Sequence, residues 1–160
     1  MLRTIRFDGT DERVFETAAA EDEIAVTGGF AFAGLHPDDV TGKVRQAFAN
    51  GFLGLGSFGR ATFASVAEVT DADRAAAHAN LAAHLEDEYG APNRQAAEAA
   101  AEDELTFAES LCADVEINTV FTIRRTRDDA GEIVEEFRTI KAPSGEPMHA
   151  RIWTLVDDDA

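Results

Sequence analysis

The sequence is poor in cysteine and basic residues, and it has no long apolar run. Its 160 residues include one cysteine and 14 lysines and arginines, against 31 aspartates and glutamates, which gives a formal charge of −17. Such an acidic surface repels nucleic acid and anionic membranes, because binding to phosphates requires a basic footprint. No apolar run has the roughly 18 residues that a membrane helix needs, and no signal-peptide run follows the N-terminus. We therefore expect a cytoplasmic protein that binds neither nucleic acid nor membrane.

The composition nevertheless supports a folded core. Hydrophobic residues make up 45% of the sequence, and a chain of this length buries about two-thirds of its unfolded surface. The single cysteine, Cys112, cannot form an internal disulfide and falls among Leu105, Ala108 and Leu111 in a pattern of helical spacing, so we expect a buried thiol. We predict one domain over residues 1–156 and a disordered acidic tail over residues 157–160.

The order of apolar patterns and turns predicts an α+β fold. We expect the following elements in chain order: strands over residues 3–7, 13–17 and 24–32, a helix from 36 to about 51, a strand over 60–69, helices over 75–89 and 92–113, strands over 117–125 and 133–140, and a last strand over 150–156. Apolar stripes of helical period indicate the helices, and apolar alternation indicates the strands. We expect these strands to form an antiparallel sheet, with three main helices packed on one face.

A glycine-rich segment contains the clearest motif. Gly54, Gly56 and Gly59 form the pattern G-x-G-x-x-G, which binds dinucleotides when it follows a strand and opens a helix. Here a predicted helix precedes the motif and a predicted strand follows it, so the required order is inverted. We therefore predict a tight, partly buried turn. Three apolar side chains of this segment are candidates for an interaction surface: Phe52, Leu55 and Phe58.

No group of residues predicts catalysis or a cofactor. For a metal, the candidates are His84 and Glu88, which are four residues apart and so share one face of a predicted helix. Glu98 and Glu102 on the next helix have the same spacing and could approach across the helical hairpin. The Glu-x-x-His pairs of two-metal bundle sites are missing from both segments. A solvated acidic face is therefore the simpler interpretation, and we predict no catalytic residue and no cofactor.

Charge is distributed unevenly along the chain. Residues 71–116, which include the predicted helical hairpin, contain 12 acidic and 2 basic residues, whereas residues 117–156 contain 6 of each. Arg124 and Arg125 lie in the balanced segment and are further candidates for an interaction surface. Such polarity favours self-association or docking to a basic partner protein. Solubility alone is the alternative explanation.

Several segments resemble a small bacterial family classified only as a domain of unknown function. They are residues 45–54 (RQAFANGFLG), 57–59 (SFG), 72–76 (ADRAA), 88–92 (EYGAP) and 137–139 (FRT). The resemblance extends to about Ala142. It implies a stand-alone cytoplasmic domain, accessory to some enzyme system, and it implies no activity, cofactor or catalytic residue.

Two functions of different classes follow from these observations. The favoured one is a non-catalytic interaction or accessory protein that forms a homodimer or docks to a protein partner. The alternative is a small-molecule- or metal-binding domain, with or without enzymatic activity, that has an apolar pocket between sheet and helices beside His84 and Glu88. Aromatic residues motivate this alternative: Phe30, Phe32, Phe48, Phe63 and Trp153.

Overall fold

The computed structural model describes residues 1–141 and the strand of residues 154–156. Its strands are β1 (Leu2–Ile5), β2 (Ile24–Val26), β3 (Phe52–Gly54), β4 (Arg60–Ala61), β5 (Phe63–Val66), β6 (Val120–Arg127), β7 (Ile133–Lys141) and β8 (Thr154–Val156). Its helices are α1 (Thr10–Val14), α2 (Gly42–Asn50), α3 (Asp71–Glu88) and α4 (Arg94–Cys112), with short 3₁₀ helices at Gly29–Phe32 and Pro37–Asp39. The predicted α+β class with three main helices is confirmed.

The described strands form one sheet in the order β4-β3-β2-β1-β5-β6-β7-β8. Every neighbouring pair is antiparallel. The predicted hairpin is β6–β7, whose register extends from Val120 opposite Ile140 to Arg127 opposite Ile133. The last strand, β8, pairs with β7 of the same chain.

The long helices α3 and α4 form the predicted hairpin. α3 begins after Thr70, whose hydroxyl accepts a hydrogen bond from the N–H of Asp73 (3.1 Å), and α4 begins after Asn93, whose side chain accepts from the N–H of Ala96 (2.8 Å). Such caps satisfy N–H groups that the first turn of a helix leaves without partners. The inner faces of both helices are rich in alanine and leucine, so the two helices pack closely.

Two apolar clusters form the core, and they use alternate residues of the central strands. One cluster joins the α3–α4 hairpin to Ile24, Val26 and Leu53. The other contains Ala25 and Phe52, along with residues of β1, β5 and β6 and the C-terminal end of α4. Cys112 packs against this second cluster, and burial raises the pKa of its thiol.

One predicted strand is wrong, and another ends earlier than predicted. Residues 13–17 do not form a strand, because the Asp8 side chain accepts a hydrogen bond from the Thr10 N–H (2.8 Å) and this turn opens α1. Asp11 then anchors α1 by accepting from the hydroxyl of Thr62 (2.7 Å). Residues 30–32 form a 3₁₀ helix, because Gly28, with φ of 76°, ends β2 by turning the chain.

Other boundaries differ from the predictions. The helix predicted from residue 36 is divided into a 3₁₀ turn and α2, with Gly42 at φ 58° opening α2. The strand predicted over residues 60–69 is divided into β4 and β5, and the glycine segment contributes the unpredicted strand β3. Residues 150–153 of the last predicted strand and the predicted tail at 157–160 lie outside the described residues.

Candidate functional site

The glycine turn, residues 54–59, binds a carboxylate of the chain itself. The side chain of Glu23 accepts hydrogen bonds from the N–H groups of Gly56 (2.7 Å) and Ser57 (2.6 Å) and from the Ser57 hydroxyl (2.7 Å). Backbone N–H groups that converge in a turn form an anion-binding concavity. Here Glu23 fills that concavity, which gives the G-x-G-x-x-G pattern a structural explanation.

Close approach explains why the turn requires glycine. A Cβ on Gly54 would lie 2.7 Å from a carboxylate oxygen of Glu23, and a Cβ on Gly59 would lie 2.5 Å from the carbonyl carbon of Ala18. The turn also holds Phe58 in the left-handed backbone region, with φ of 56°, which is uncommon for a residue other than glycine. The surrounding contacts therefore hold the backbone of Phe58 in this uncommon conformation.

Three of the five residues predicted to form an interaction surface are buried, so the structure corrects the prediction for these three. Phe52 and Leu55 are at most 2% exposed, because they belong to the two core clusters. Arg125 is 2% exposed, because its guanidinium binds interior carbonyls. Among these candidates, Phe58 is half-buried and Arg124 is exposed, so these two side chains remain accessible.

The metal candidates His84 and Glu88 lie one turn apart on α3 in different environments. His84 is half-buried, stacked on Phe58 with ring centroids 3.8 Å apart, and tilted against Tyr89 at 5.4 Å. Burial lowers the pKa of the His84 imidazole, opposed by the nearby Glu88 and Asp87 carboxylates. Glu88 is exposed. The described residues contain no group of three His, Cys, Asp or Glu side chains that could hold a metal ion.

The acidic face of α4 takes part in helix packing. Arg74 of α3 donates two hydrogen bonds to the Glu102 carboxylate (3.0 and 2.8 Å) and a third to Glu109 (2.8 Å). These hydrogen bonds lower the pKa of Glu102. Glu102 therefore joins the two helices, in addition to lying on the solvated face that the sequence predicts.

Arg125 is buried on β6 and has a full set of partners. Its Nε donates to Glu135 on β7 (2.7 Å), and its Nη1 donates to the carbonyls of Phe48 and Gly51 at the C-terminal end of α2 (both 2.9 Å). Its Nη2 donates to the carbonyl of Thr27. A cation at the C-terminal end of a helix is favoured by the helix dipole. We call these residues the Arg125 centre, and we assign it a structural role.

Arg60 is buried beside this centre on the edge strand β4, and its described hydrogen bonds go to carbonyls, one of which it shares with Arg125. Its Nη1 donates to the carbonyl of Gly51 (3.2 Å) and its Nη2 to the carbonyl of Gly28 (3.1 Å). Among the residues that the structure describes, no carboxylate forms an ion pair with it. Burial and the charge of Arg125 lower the pKa of Arg60 to about 9, so the guanidinium is positive at pH 7. Among the described residues, Arg60 is thus a buried cation without an ion-pair partner, and the Glu135 carboxylate acts on it only by opposing the lowering of its pKa.

Arg60 lines a cleft of about 310 Å³, which we call the Arg60 pocket. This volume is at the lower end of the range for small-molecule binding sites. It lies between α1, α2, the 3₁₀ segment, the glycine turn and α3, and its walls include five aromatic rings: Phe15, Phe32, Phe58, His84 and Tyr89. Lys43 and Glu16 also line it, and both are exposed. A buried cation and several aromatic rings therefore line one cleft, with an exposed cation and an exposed carboxylate among the other lining residues.

A second cleft, of about 450 Å³, borders the Arg125 centre at Thr27 and Glu135. Its lining includes Glu104, Glu132 and Glu135, together with Arg127 and Phe107. Burial and the nearby Glu135 raise the pKa of the Glu104 carboxyl, while Arg125 opposes this shift. Its lining cation is Arg127, which donates to the carbonyls of Gly131 (3.0 Å) and Phe32 (3.3 Å). Carboxylates therefore outnumber cations in this lining, whereas cations outnumber carboxylates in the lining of the Arg60 pocket.

Sequence reasoning missed Arg60 and Glu23 and misplaced Arg125. Arg60 begins a segment rich in small and β-branched residues that was predicted as a strand, and a charged residue at the start of a strand gives no sign of burial. The alternative hypothesis of an aromatic pocket did contain two residues of the Arg60 pocket, Phe32 and His84. The other residues of that hypothesis lie elsewhere, and Trp153 is outside the described residues.

Among the described helices, none is long and apolar enough to cross a membrane. A family model described as "Family of unknown function (DUF6505)" matches residues 1–154. Since this match covers nearly all of the sequence, the chain belongs to that family, and the resemblance found in the sequence is confirmed. The match extends beyond Ala142, where the resemblance ended, and into β8. No curated protein and no solved structure matches the chain.

Proposed function

We propose that this member of a family of unknown function is a non-catalytic cytoplasmic protein that binds a small organic anion in the Arg60 pocket. One observation carries the proposal: within the described residues, Arg60 is a buried cation with no carboxylate partner, and it lines an aromatic cleft. Of the two functions that the sequence left open, the geometry supports small-molecule binding better, because it buries most of the residues expected to form an interaction surface.

Electrostatics favour an anionic ligand. Removing a guanidinium from water costs free energy unless the charge is paired, and hydrogen bonds to backbone carbonyls compensate only in part. Arg60 has five N–H groups, and the described hydrogen bonds use one from each of its two terminal nitrogens. A ligand carboxylate would supply the missing negative charge and accept charge-assisted hydrogen bonds.

The walls of the pocket favour an apolar body on that anion. Phe15 and Phe32 are at most 4% exposed, and Phe58 is half-buried. The overall charge of −17 opposes the approach of any anion. Affinity must therefore come from apolar burial together with short-range contacts to Arg60, which favours a small acid with a flat apolar body over an inorganic anion.

Isothermal titration calorimetry with a matched pair of probes tests the proposal. Naphthoate and its amide have the same shape, but only naphthoate carries the negative charge. We expect saturable binding of naphthoate and at least about tenfold weaker binding of naphthamide, because a hydrogen bond to a charged group contributes about 1.5–3 kcal/mol. Arg60→Met should remove this preference, while Arg124→Met, at an exposed position on β6, should retain it.

Two outcomes contradict the proposal. One is equal binding of naphthoate and naphthamide to the unmodified protein. The other is saturable binding of naphthoate with unchanged affinity in a folded Arg60→Met variant. Since the ligand pair tests the charge without changing the protein, a folding defect in the variant leaves the first comparison intact.

A second candidate function is association with a second copy or a basic partner protein. The charge distribution favours it, since residues 71–116 contain 12 acidic and 2 basic residues and Arg124 is exposed on the sheet. Light scattering across a range of protein concentrations tests for the homodimer, and a monomeric mass at every concentration would exclude it. If a dimer forms, Arg124→Glu should weaken it and change its salt dependence.

A further inference from the structure

Two neutral polar side chains line the Arg60 pocket without described hydrogen-bond partners. They are the imidazole of His84 and the phenol of Tyr89, and aromatic contacts hold both rings in place. His84 stacks on Phe58, and Tyr89 meets the edge of Phe30 at 5.2 Å between ring centroids. Among the hydrogen bonds of the described residues, none involves a ring nitrogen of His84 or the hydroxyl of Tyr89. The pocket therefore contains unused hydrogen-bonding capacity beside its cation.

The chemistry of these two groups complements a neutral polar atom of a ligand. A neutral imidazole has one donor and one acceptor nitrogen, and a phenol can donate or accept. Burial lowers the pKa of His84, which keeps its ring neutral at pH 7. Neither group supplies a second positive charge, so a second carboxylate would gain little there. A hydroxyl group, which both donates and accepts, fits them better.

The arrangement of rings favours a planar ligand. The Phe58 and His84 rings are nearly parallel, with an interplanar angle of 7°, and the Arg60 guanidinium lies 4.7 Å from the centroid of the Phe32 ring. These groups already cover one face of each other, so a ligand meets their remaining faces and edges, where an aromatic ligand gains the geometric contribution of aromatic pairs.

We propose that the pocket selects a planar aromatic acid with a hydroxyl group, with the carboxylate on Arg60 and the hydroxyl on His84 and Tyr89. This inference rests on the proposed function and deepens it, because it names the class of ligand. The convergence of Arg60, His84 and Tyr89 on one cleft of about 310 Å³ carries it.

Calorimetric titration with naphthoate and the isomers of hydroxynaphthoate tests the inference. The best hydroxyl isomer should bind about fivefold more tightly than naphthoate, which is the effect of one additional net hydrogen bond. Tyr89→Phe removes only a hydroxyl group from a half-exposed ring, and His84→Phe retains a ring that can stack on Phe58. At least one of these variants should lose the advantage of the hydroxyl isomer while it still binds naphthoate.

Nitrogen NMR of His84 gives an independent readout. The chemical shifts of its ring nitrogens should change more with the best hydroxyl isomer than with naphthoate, because only the former supplies a hydrogen-bond partner. The inference would be overturned if the protein bound naphthoate and every hydroxynaphthoate isomer with equal affinity. It would also be overturned if the advantage of the hydroxyl isomer persisted in both variants. If none of the acids binds, the proposed function fails as well; if all bind equally, only the ligand class is wrong.

Discussion

Two buried arginines lie side by side in this protein, and their surroundings differ in one respect. Arg125 and Arg60 both donate to the carbonyl of Gly51, and both guanidinium groups lie near the ring of Phe32, at 5.6 and 4.7 Å from its centroid. Arg125 pairs with Glu135, whereas the described partners of Arg60 are carbonyls. Among the described residues, one positive charge therefore has an ion-pair partner and the other has none.

This difference separates a structural charge from a candidate functional one. A buried ion pair that also binds the end of a helix fixes local geometry, and removal of one partner leaves the other without compensation. A buried charge without an ion-pair partner beside a cleft marks a candidate site, since the fold gains little from it. Stability should therefore depend strongly on Arg125, and ligand binding should depend on Arg60.

The largest loss of stability is expected from Arg125→Met. The variant leaves the Glu135 carboxylate and several carbonyls at the end of α2 without their donor, so we expect a loss of about 3–5 kcal/mol in the free energy of unfolding. Urea denaturation measures it. The matched control is Arg124→Met, at the exposed neighbouring position, with an expected change within about 0.5 kcal/mol. A loss below about 1 kcal/mol for Arg125→Met would show that the centre is not structural.

The next largest effect is expected from Gly59→Ala, next to Arg60. The new Cβ would meet the backbone of Ala18 at 2.5 Å, so the strand that carries Arg60 must shift. We expect a loss of about 2 kcal/mol or more in unfolding free energy. Gly9→Ala is the control, since no atom lies within 4 Å of its added Cβ. Similar stabilities for the two variants would refute the importance of this close approach.

A smaller loss of stability is expected from Arg60→Met, in direct contrast to Arg125→Met. The variant removes hydrogen bonds to Gly51 and Gly28, but the described residues contain no carboxylate that would lose an ion pair. The carbonyl of Gly51 also keeps its bond from Arg125. We expect a loss of about 1 kcal/mol or less in urea denaturation. A loss as large as that of Arg125→Met would abolish the distinction between the two arginines.

The smallest expected effect is a pH dependence of stability that comes from Glu104, in the second cleft. The pKa of Glu104 is raised above its ordinary value of 4.5 by burial and by Glu135. The folded state therefore binds more protons than the unfolded state just above that pH, and Glu104 destabilises the fold as the pH rises. Glu104→Gln should gain stability relative to the unmodified protein between pH 4 and pH 7, by under about 1 kcal/mol.

Denaturation curves at both pH values measure this difference. Glu98→Gln, on the exposed face of the same helix, serves as the control and should show a smaller change between the two pH values. If Glu104→Gln and Glu98→Gln respond identically to pH, Glu104 is not perturbed by its neighbours.

Local patterns predicted the parts of the fold that depend on local interactions. The β6–β7 hairpin follows from alternation and a turn, and the α3–α4 hairpin follows from helix-forming residues closed by a glycine. Residues 13–17 were predicted incorrectly, because the Asp8–Gly9 turn is compatible with both a strand turn and a helix start. The choice depends on the distant contact between Asp11 and Thr62.

The candidate site depends on contacts between distant segments and was therefore only partly predictable. The glycine pattern correctly indicated a turn, but its partner Glu23 lies more than 30 residues earlier in the sequence. Arg125 was expected at the surface, because an arginine in a half-polar strand is usually exposed. Its burial follows from the carbonyls at the end of α2, more than 70 residues away.

The central claim is that Arg60 is available to bind an anion, and calorimetric titration of naphthoate at pH 7 tests it most directly. The account predicts one saturable site on the unmodified protein, at least about tenfold weaker binding of naphthamide, and loss of the difference in folded Arg60→Met. Equal affinities of naphthoate and naphthamide for the unmodified protein would contradict the claim.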